Sequence, residues 1–328
     1  MKLINNHQSD NKPYPSSVIT LLNGHKLTLD QTVLDAVRQN AFVFLNKAIV
    51  ELCSHNDAGD APLEMDNATI SVSLIQIAFD LALNAYAIKN NGVRSILNAK
   101  TANLSNREIK ALFESNELPT KRFEDLKNDM QAEHSLFTED NLDIIASFQK
   151  TRNKLVHLHY HLAEGDRYDL KSEIIYYIVH VMIPLLQQGS DYDTASQMIE
   201  SCLDEKIFKK LISFPPYVYE MEKLASRDSF EVWRCIGCSN RTYAAEMEVC
   251  YVCNRDYDDQ EFAHCNRCNT RNSIIFDHLN IESNDNEMRG LCLNCDEDDI
   301  IFKCPKCEMT YGIETCDERC DNKHCINR

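Results

Sequence analysis

The chain has 328 residues and a formal net charge of −17, from 51 acidic and 34 basic residues. Hydrophobic residues make up 44% of it and charged residues 26%, with only 8 glycines and 8 prolines, which indicates globular domains rather than low-complexity sequence. The negative charge excludes indiscriminate binding to nucleic acid, so any contact with a polyanion has to use a small local cationic site or a cleft between two copies.

The first 28 residues contain no apolar core of a signal peptide, and we treat them as an N-terminal extension. Apolar residues then recur at three- and four-residue spacing over 30–53 and 68–90, which predicts two long helices. Asp30 is a candidate cap of the first helix, and the second is apolar on most faces, so it is predicted to be central. The apolar stretch 174–186 is too short to span a membrane. We therefore expect a cytoplasmic protein without a membrane segment.

Five further helices are predicted before residue 228, where no strand-like alternation occurs. They cover 105–115, 120–133, 138–162, 169–188 and 192–213. Gly165-Asp166 is predicted to separate the third of them from the fourth, and Pro215-Pro216 to end the helical part. Residues 29–226 are therefore predicted to form an all-α helical bundle.

The predicted helix over 138–162 carries the six-residue stretch Arg152-Asn153-Lys154-Leu155-Val156-His157. A cation inside an otherwise apolar helical segment needs an explanation, because burying an unpaired charge is costly. Asn153 and His157 stand four residues apart and share a helix face, and the long side chain of Arg152 can reach the same place. The Arg–His spacing alone is weak evidence, since two other pairs among the cysteines also satisfy it, but only this pair lies in a predicted helix.

These three residue types suit the cleavage of RNA. Imidazole takes or gives a proton near neutral pH, guanidinium binds a phosphate by two hydrogen bonds and stabilises its transition state, and an amide orients either group. RNA supplies its own nucleophile, the 2′-hydroxyl, so no metal ion is needed for the attack. These three residues include only one imidazole, which can serve as the general acid or as the general base but not as both at once. A twofold dimer would supply a second copy of the three residues. We therefore predict that Arg152, Asn153 and His157 are catalytic in a homodimer with a composite active site.

In these features the chain resembles the HEPN domains, the helical modules of prokaryotic RNases, toxins and defence effectors. The similarity covers residues 30–188 and rests on RNKLVH, which matches the family pattern of Arg and His separated by four to six residues, with Asn after the Arg. As in that family, the motif follows an apolar helix (IQIAFDLALNAYAIKNNG) and lies late in the bundle. The resemblance implies a metal-independent endoribonuclease that leaves a 2′,3′-cyclic phosphate and a 5′-hydroxyl, with a role as a toxin or antiphage effector. Some members of the family are inactive scaffolds, so the fold alone does not establish activity.

After residue 226 the composition changes, and thirteen of the 15 cysteines fall in the last hundred residues. In a cytoplasmic chain, clustered CxxC pairs indicate metal binding, because both thiolates of a pair can bind one tetrahedral zinc ion. We predict a zinc-ribbon array of short β-hairpins and knuckles over 227–328, with two to three structural zinc ions. The predicted ligands are Cys235, Cys238, Cys250 and Cys253 for one site, Cys265, Cys268, Cys292 and Cys295 for a second, and Cys304, Cys307, Cys316 and Cys320 for a third.

Two features of the array stay open in the sequence. Cys325 or His324 could replace Cys316 or Cys320 at the third site, and a cross-braced arrangement could pair the first knuckle with the third and the second with the fourth. Residues 229–328 contain 11 basic and 20 acidic residues, which favours a protein partner over RNA. A local RNA contact is the alternative, and its candidate residues are Trp233, Arg234, Arg241, Tyr243, Arg267 and Arg271.

Two other functions fit the same sequence. The bundle could be a catalytically inactive HEPN-like dimerisation scaffold whose zinc ribbons bind a protein, or the chain could be a zinc-dependent nucleic-acid-binding regulator. RNA cleavage that depends on Arg152 and His157 would separate the nuclease from both alternatives.

Overall fold

A computed structural model describes residues 28–53, 61–101, 103–158, 162–188, 192–257, 262–276, 287–304 and 310–313. Over these ranges the chain is helical up to Asp228, and short antiparallel strands with cysteine clusters follow from Val232 onward. The predicted order, a helical part followed by a small β part, is confirmed.

The described helices are numbered in chain order. They are α1 (Leu29–Cys53), α2 (Met65–Asn91), α3 (Asn106–Glu114), α4 (Phe123–His134), α5 (Glu139–Leu158), α6 (Glu164–Tyr176), α7 (Ile183–Gln187), α8 (Ala195–Cys202), α9 (Glu205–Leu211) and α10 (Pro215–Asp228). A 3₁₀ turn, Val93–Ile96, follows α2, and a π-helical segment, Tyr177–Met182, joins α6 to α7.

Asp30 joins the start of α1 to the end of α2. Thr28 caps α1, because its hydroxyl accepts the backbone N–H of Gln31 at 3.2 Å. The Asp30 carboxylate instead accepts the N–H of Val93, the second residue after α2, at 2.9 Å. Gly92 ends α2 with a φ of +76°, a conformation that residues with a Cβ rarely adopt. The predicted capping role of Asp30 is therefore wrong, and its side chain fixes the turn between α2 and the next segment.

Two predicted helix breaks are also wrong. Gly165 and Asp166 lie inside α6. Pro215 and Pro216 begin α10 instead of ending the helical part, because a proline in the first turn of a helix loses no intrahelical hydrogen bond. The segment predicted as one helix, 192–213, forms both α8 and α9, since an aspartate side chain caps α9 and starts a new helix there.

The core of the bundle is built around Phe79 on α2. Its ring lies 5.2 Å from Phe123, 6.1 Å from Phe137 and 5.0 Å from Tyr177, measured between ring centroids. On α5, Phe148 stacks on Tyr177 at 4.3 Å with an interplanar angle of 14°. Burying each ring contributes about 1.5–3 kcal/mol, so these contacts hold α2, α4, α5 and the π segment together.

Among the described helices, α2 alone is long and apolar enough to cross a membrane by length and composition. It packs against α1, α4, α5, α6 and α7, and 56% of its most apolar stretch is buried inside the protein. These contacts make α2 the central helix of the bundle, as its apolarity predicts.

The strands form two antiparallel sheets. The first contains β1 (Val232–Trp233), β2 (Tyr243–Ala244) and β3 (Val249–Cys250), and the second contains β4 (Phe262–Ala263), β5 (Ile274–Ile275), β6 (Glu287–Cys292), β7 (Asp298–Lys303) and β8 (Thr310–Ile313). Both sheets follow chain order. Gly290 lies in β6 where a Cβ would overlap the side chain of Ile274 on β5, so the close approach of these strands requires glycine.

Asn254, which follows the CxxC pair Cys250–Cys253, connects the first sheet to α8. Its Nδ2 donates to the Glu200 carboxylate at 2.7 Å. Its Oδ1 accepts hydrogen bonds from the hydroxyls of Ser196 and, at 3.3 Å, Thr194. One side chain therefore makes hydrogen bonds with three residues along α8 and its cap.

Two tyrosines make further contacts between the helices and the same CxxC turn. Tyr217 on α10 is fully buried and donates its hydroxyl to the Val252 carbonyl at 3.4 Å. Tyr251 donates its hydroxyl to the carboxylate of Asp228, the last residue of α10, at 3.1 Å. The helices and the first sheet share one hydrophobic core.

Replacing Asn254 by alanine is expected to destabilise the protein by about 2–3 kcal/mol more than replacing Asn269, because buried partners lose their hydrogen bonds. Asn269 is a matched control, since both residues follow a CxxC pair with a φ of 58°, but the Asn269 side chain is exposed. Urea unfolding of the metal-loaded proteins, followed by circular dichroism, measures the difference. Equal losses of stability in the two variants would contradict the role of Asn254.

Candidate functional site

The CxxC pairs assemble into two clusters of four thiols. The first cluster contains Cys235, Cys238, Cys250 and Cys253, and the second contains Cys265, Cys268, Cys292 and Cys295. Within each cluster all four sulfur atoms lie within 4.8 Å of one another. Neighbouring pairs therefore combine, and the cross-braced alternative does not occur in these two clusters.

The sulfur separations match a tetrahedral metal site. In the first cluster, Cys235 and Cys253 are separated by 3.6 Å, and Cys238 and Cys250 by 3.7 Å. In the second cluster the corresponding separations are 3.8 and 3.7 Å. Four sulfurs bound to one zinc ion at about 2.3 Å stand about 3.8 Å apart. Each cluster could therefore hold a metal ion such as zinc, in a closed site that leaves no position for a substrate.

All four CxxC turns share one backbone conformation. The N–H of the first cysteine binds the carbonyl oxygen five residues later at 2.8–3.0 Å. The residue after the second cysteine has a φ of 58–62° in every turn, and these residues are Ser239, Asn254, Asn269 and Asp296. Asn and Asp adopt this left-handed conformation more readily than most residues, which lets the turn fold both sulfurs inward.

A buried hydroxyl contacts one sulfur in each cluster. Thr242 Oγ1 lies 3.3 Å from the sulfur of Cys250, and Ser273 Oγ lies 3.3 Å from the sulfur of Cys292. The Thr242 hydroxyl is placed to donate to a metal-bound thiolate and fix its orientation, whereas the Ser273 hydroxyl donates to the Thr270 carbonyl oxygen at 3.0 Å. Spacing alone does not reveal these residues, because tertiary contacts bring them to the sulfurs.

The thiols within each cluster differ in acidity. Hydrogen bonds with neighbouring thiols, together with burial, raise the pKa of Cys250 and Cys253, and burial, together with such hydrogen bonds, raises the pKa of Cys265 and Cys295, whereas the pKa of Cys235 and of Cys268 is lowered. Burial opposes ionisation of Cys268, but hydrogen bonds from Thr270 outweigh it and lower the pKa of this thiol to about 6. Hydrogen bonds from the other three thiols of the first cluster lower the pKa of Cys235. Outside the clusters, burial raises the pKa of Cys53 and of Cys202 to about 12, so these thiols stay protonated and unreactive.

The third predicted zinc site lies mostly outside the described residues. Cys304 directly follows β7 and is buried. The remaining candidate ligands fall outside the part of the chain that the structure describes, and they are Cys307, Cys316, Cys320, His324 and Cys325.

Cys292→Ala is expected to lower the metal content of the purified protein by one ion per chain, because three sulfurs cannot close a tetrahedral site. Cys202→Ala is the matched control, since it also removes a cysteine but leaves both clusters intact. Elemental analysis after gel filtration measures the ions per chain. An unchanged metal content in Cys292→Ala would exclude the second cluster as a metal site.

The three predicted catalytic residues lie on α5. Arg152 is half-buried and Asn153 is exposed, and Arg152 Nη1 donates to Asn153 Oδ1 at 2.9 Å. His157 belongs to the last turn of α5, but its side chain lies outside the described part of the structure. The contacts of this imidazole with Arg152 and Asn153 therefore stay predictions.

Sequence analysis missed Asp80 on α2, which lies close enough to Arg152 for the two charges to interact. Burial raises the pKa of the Asp80 carboxyl to about 6, while a hydrogen bond from Gln76 and the positive charge of Arg152 oppose the rise. Gln76 Nε2 donates to Asp80 Oδ1 at 2.6 Å. Gln76, Asp80 and Asn84 recur every four residues in an otherwise apolar helix, so they form a polar stripe on one face of α2, a signal that the sequence does contain.

Other polar groups surround Asp80. Glu124 on α4 accepts hydrogen bonds from Lys127 at 2.6 Å and from Gln149 on α5 at 2.8 Å. The buried hydroxyl of Tyr177 has no hydrogen-bond partner among the described residues, and burial together with the charges of Asp80 and Glu124 raises its pKa. An unsatisfied buried polar atom costs about 1–3 kcal/mol. Such a cost inside an apolar core is typical of a functional site.

The raised pKa of Asp80 predicts that stability falls as the pH rises from about 4 to 6. Over this range the folded protein keeps a proton that the unfolded chain has lost, so each step up in pH favours unfolding. The difference between 3.8 and about 6 corresponds to about 2–3 kcal/mol. The side chain of the Asp80→Asn variant cannot titrate, so its free energy of unfolding should lack this decline between about pH 4 and 6. Urea unfolding at several pH values measures the free-energy difference between the two proteins, and a difference that does not change with pH would contradict the buried acid.

The predicted RNA contact in the cysteine-rich part does not hold for its aromatic residues. Trp233 and Tyr243 are only 5% and 2% exposed, and their rings stack on each other at 6.1 Å. Buried rings cannot stack on bases. Three of the predicted arginines contact residues of the last described CxxC turn instead, and these are Arg234, Arg241 and Arg267.

No family model matches this chain, and no curated protein or solved structure matches it. The resemblance to HEPN domains therefore stays a prediction, and the chain's own residues and contacts have to support any function.

Proposed function

We propose that this protein is a metal-independent endoribonuclease that works as a homodimer. The observation that carries the proposal is the half-buried guanidinium of Arg152 on α5, which is hydrogen-bonded to Asn153 and interacts with Asp80. Arg152 lies five residues before His157 on the same helix. A half-buried cation on the same helix as a titratable histidine suits phosphodiester cleavage. The similarity of RNKLVH to the HEPN motif points the same way.

In the proposed reaction, the 2′-hydroxyl of a nucleotide attacks the phosphorus of its own 3′-phosphate. His157 removes the hydroxyl proton, the P–O5′ bond breaks, and the leaving 5′-oxygen takes a proton from a second acid. Arg152 binds the non-bridging oxygens and stabilises the pentacovalent transition state, while Asn153 orients the guanidinium. The products are a 2′,3′-cyclic phosphate and a 5′-hydroxyl.

Asp80 acts as a positioning residue in this proposal. Above a pH of about 6 its carboxyl is ionised and attracts the guanidinium of Arg152. The attraction limits the rotamers of a long side chain, so that less entropy is lost when the phosphate binds. Because α2 is the central helix, the position of Asp80 is set by the core and not by a loop.

The homodimer follows from the need for both a base and an acid, since each protomer offers one imidazole in this motif. Apolar surface beside the polar stripe supports the same arrangement. Ile70 and Ile77 are 44% and 41% exposed on one face of α2, and Ile77 lies one turn before Asp80. Exposed isoleucines at this spacing suit burial against a second copy, which would place two motifs close together.

The cysteine clusters have a structural role in the proposal. Each holds one zinc ion, and a third ion binds near Cys304 through ligands in the C-terminal segment. Closed four-thiolate sites leave no position for a nucleophilic water, so cleavage does not use the zinc. A cytoplasmic role in growth arrest or antiphage defence is part of the proposal only through the resemblance to HEPN domains.

Arg152→Ala and His157→Ala are each expected to slow cleavage of single-stranded RNA by about 10²–10⁴-fold, because each removes a group that acts in the transition state. Lys150→Ala is the matched control, since Lys150 carries the same charge on the exposed face of the same helix. Brief assays in EDTA, with the RNA ends identified by mass spectrometry, measure both the rate and the end chemistry.

Circular dichroism and the dimer mass should be unchanged in these variants. Cleavage that survives both substitutions would remove the motif from the mechanism. A Lys150→Ala variant as inactive as Arg152→Ala would show that general charge, and not the Arg152 site, carries the activity.

A protein-binding scaffold is the second candidate function, and one groove favours it. The groove has a volume of about 580 Å³ and lies between the two sheets. Its charged lining residues, among those described, are Glu231, Glu246, Glu248 and one arginine, Arg271, so acidic groups predominate. Phe230, beside Glu231 in sequence, is fully exposed. Carboxylates repel a phosphate backbone and attract a basic protein segment, with the phenylalanine as an apolar anchor. A wild-type protein that cuts no RNA but binds a basic peptide in this groove would favour the scaffold.

A further inference from the structure

A separate cavity of about 290 Å³ opens between α5, α6 and α10. Among the described residues, its lining consists of three apolar or aromatic side chains, two serines and two carboxylates, with no basic residue. The lining residues that matter below are Ile144, Phe148, Ser172, Glu173, Tyr176 and Glu220. A concave apolar site with a few polar groups is the usual form of a small-molecule site.

Tyr176 at the end of α6 and Glu220 on α10 line this cavity, and His180 of the π-helical segment contacts both from behind them. The ring of Tyr176 lies 4.4 Å from that of His180, and His180 Nε2 lies 2.9 Å from a carboxylate oxygen of Glu220. The other oxygen of Glu220 accepts from Lys223 at 2.9 Å. Glu220 therefore already has cationic or donor partners and serves to fix the wall. Segments of π-helix are rare and are frequent at functional sites.

Glu173 differs from Glu220 because it is exposed and has no ion-pair partner among the described residues. Partial burial, followed by the charges of Asp169 and Asp166 on the same helix, raises the pKa of its carboxyl. Both of these charges are negative. A positive group in the cavity would satisfy this carboxylate, whereas an anion would be repelled.

We propose that the cavity between α5, α6 and α10 binds a compact organic cation, in which an amine or amidine is carried by one small apolar ring. The ring would pack against Ile144, Phe148 and Tyr176, and the cationic head would pair with Glu173. Aromatic faces attract such a cation in addition to the carboxylate. The volume suits a single ring, because larger drug-like ligands need cavities toward about 1,000 Å³.

The cavity is physically connected to the polar groups around Asp80. Phe148 lines the cavity and also stacks on Tyr177 at 4.3 Å, and the charge of Asp80 reaches the Tyr177 hydroxyl. A bound ring would thus touch the side chain that supports the candidate nuclease site. The binding proposal does not rest on the nuclease, because it is tested without RNA.

Benzamidine and benzamide are the matched probes, since they have nearly the same shape and only benzamidine is charged. Isothermal titration of the full-length protein is expected to show benzamidine binding at least about tenfold more tightly than benzamide. Glu173→Gln should weaken benzamidine binding by about tenfold and leave benzamide binding unchanged. Glu114→Gln, which removes an exposed carboxylate on α3, is the control that should leave both affinities unchanged.

A second variant tests whether both probes bind inside this cavity. Ser172→Phe places a ring in the cavity from an exposed position on α6, and it should abolish binding of both probes while circular dichroism stays unchanged. Equal affinity for the two probes, undiminished benzamidine binding in Glu173→Gln, or binding that survives Ser172→Phe would overturn the proposal. A dissociation constant above about 5 mM for benzamidine and the wild-type protein, which corresponds to a binding free energy weaker than about −3 kcal/mol, would also overturn the proposal.

Discussion

The CxxC turn Cys250–Cys253 is the constraint on which the two parts of the molecule depend. Its sulfurs belong to the first cluster, while its backbone and the residue after it contact the helices through Val252 and Asn254. Four thiolates within 4.8 Å would repel one another unless a cation balanced their charge. A metal ion bound here would order a turn whose outer side belongs to the helical core, so its binding energy would stabilise α8 and α10 as well as the sheet.

The polar stripe on α2 works against the stability that the rest of this helix provides. Phe79 sits at the centre of the aromatic core, yet the next residue is Asp80, whose burial raises its pKa to about 6. The nearby Tyr177 hydroxyl is buried without a partner among the described residues. A bundle selected for stability alone would place apolar residues at these positions. The stripe is best explained by a requirement to hold the Arg152 cation in one orientation, which an apolar helix cannot do.

Local spacing predicted much of this fold, and contacts between distant residues account for the rest. CxxC spacing fixes that the two cysteines of one turn can share an ion, but the pairing of neighbouring turns instead of the cross-braced arrangement is visible only in the structure. Apolar periodicity likewise gave α1, α2 and α5 closely. Pro215 was misread because a proline either ends or begins a helix, and only the packing of α10 on the first sheet decides between them. Asp80 was missed because its role depends on Arg152, seventy-two positions later, although the four-residue spacing of Gln76, Asp80 and Asn84 does mark a polar face of α2.

The π-helical segment explains how two different sites share one stretch of backbone. Tyr176 and Tyr177 are adjacent in sequence, but the first lines the cavity and the second faces Asp80. The segment that starts at Tyr177 has wider turns than an α-helix, which changes the direction of the side chains that follow and brings His180 to Glu220 on α10. Because α10 also carries Tyr217, which contacts the CxxC turn, a single path of buried contacts runs from the metal cluster to the polar stripe.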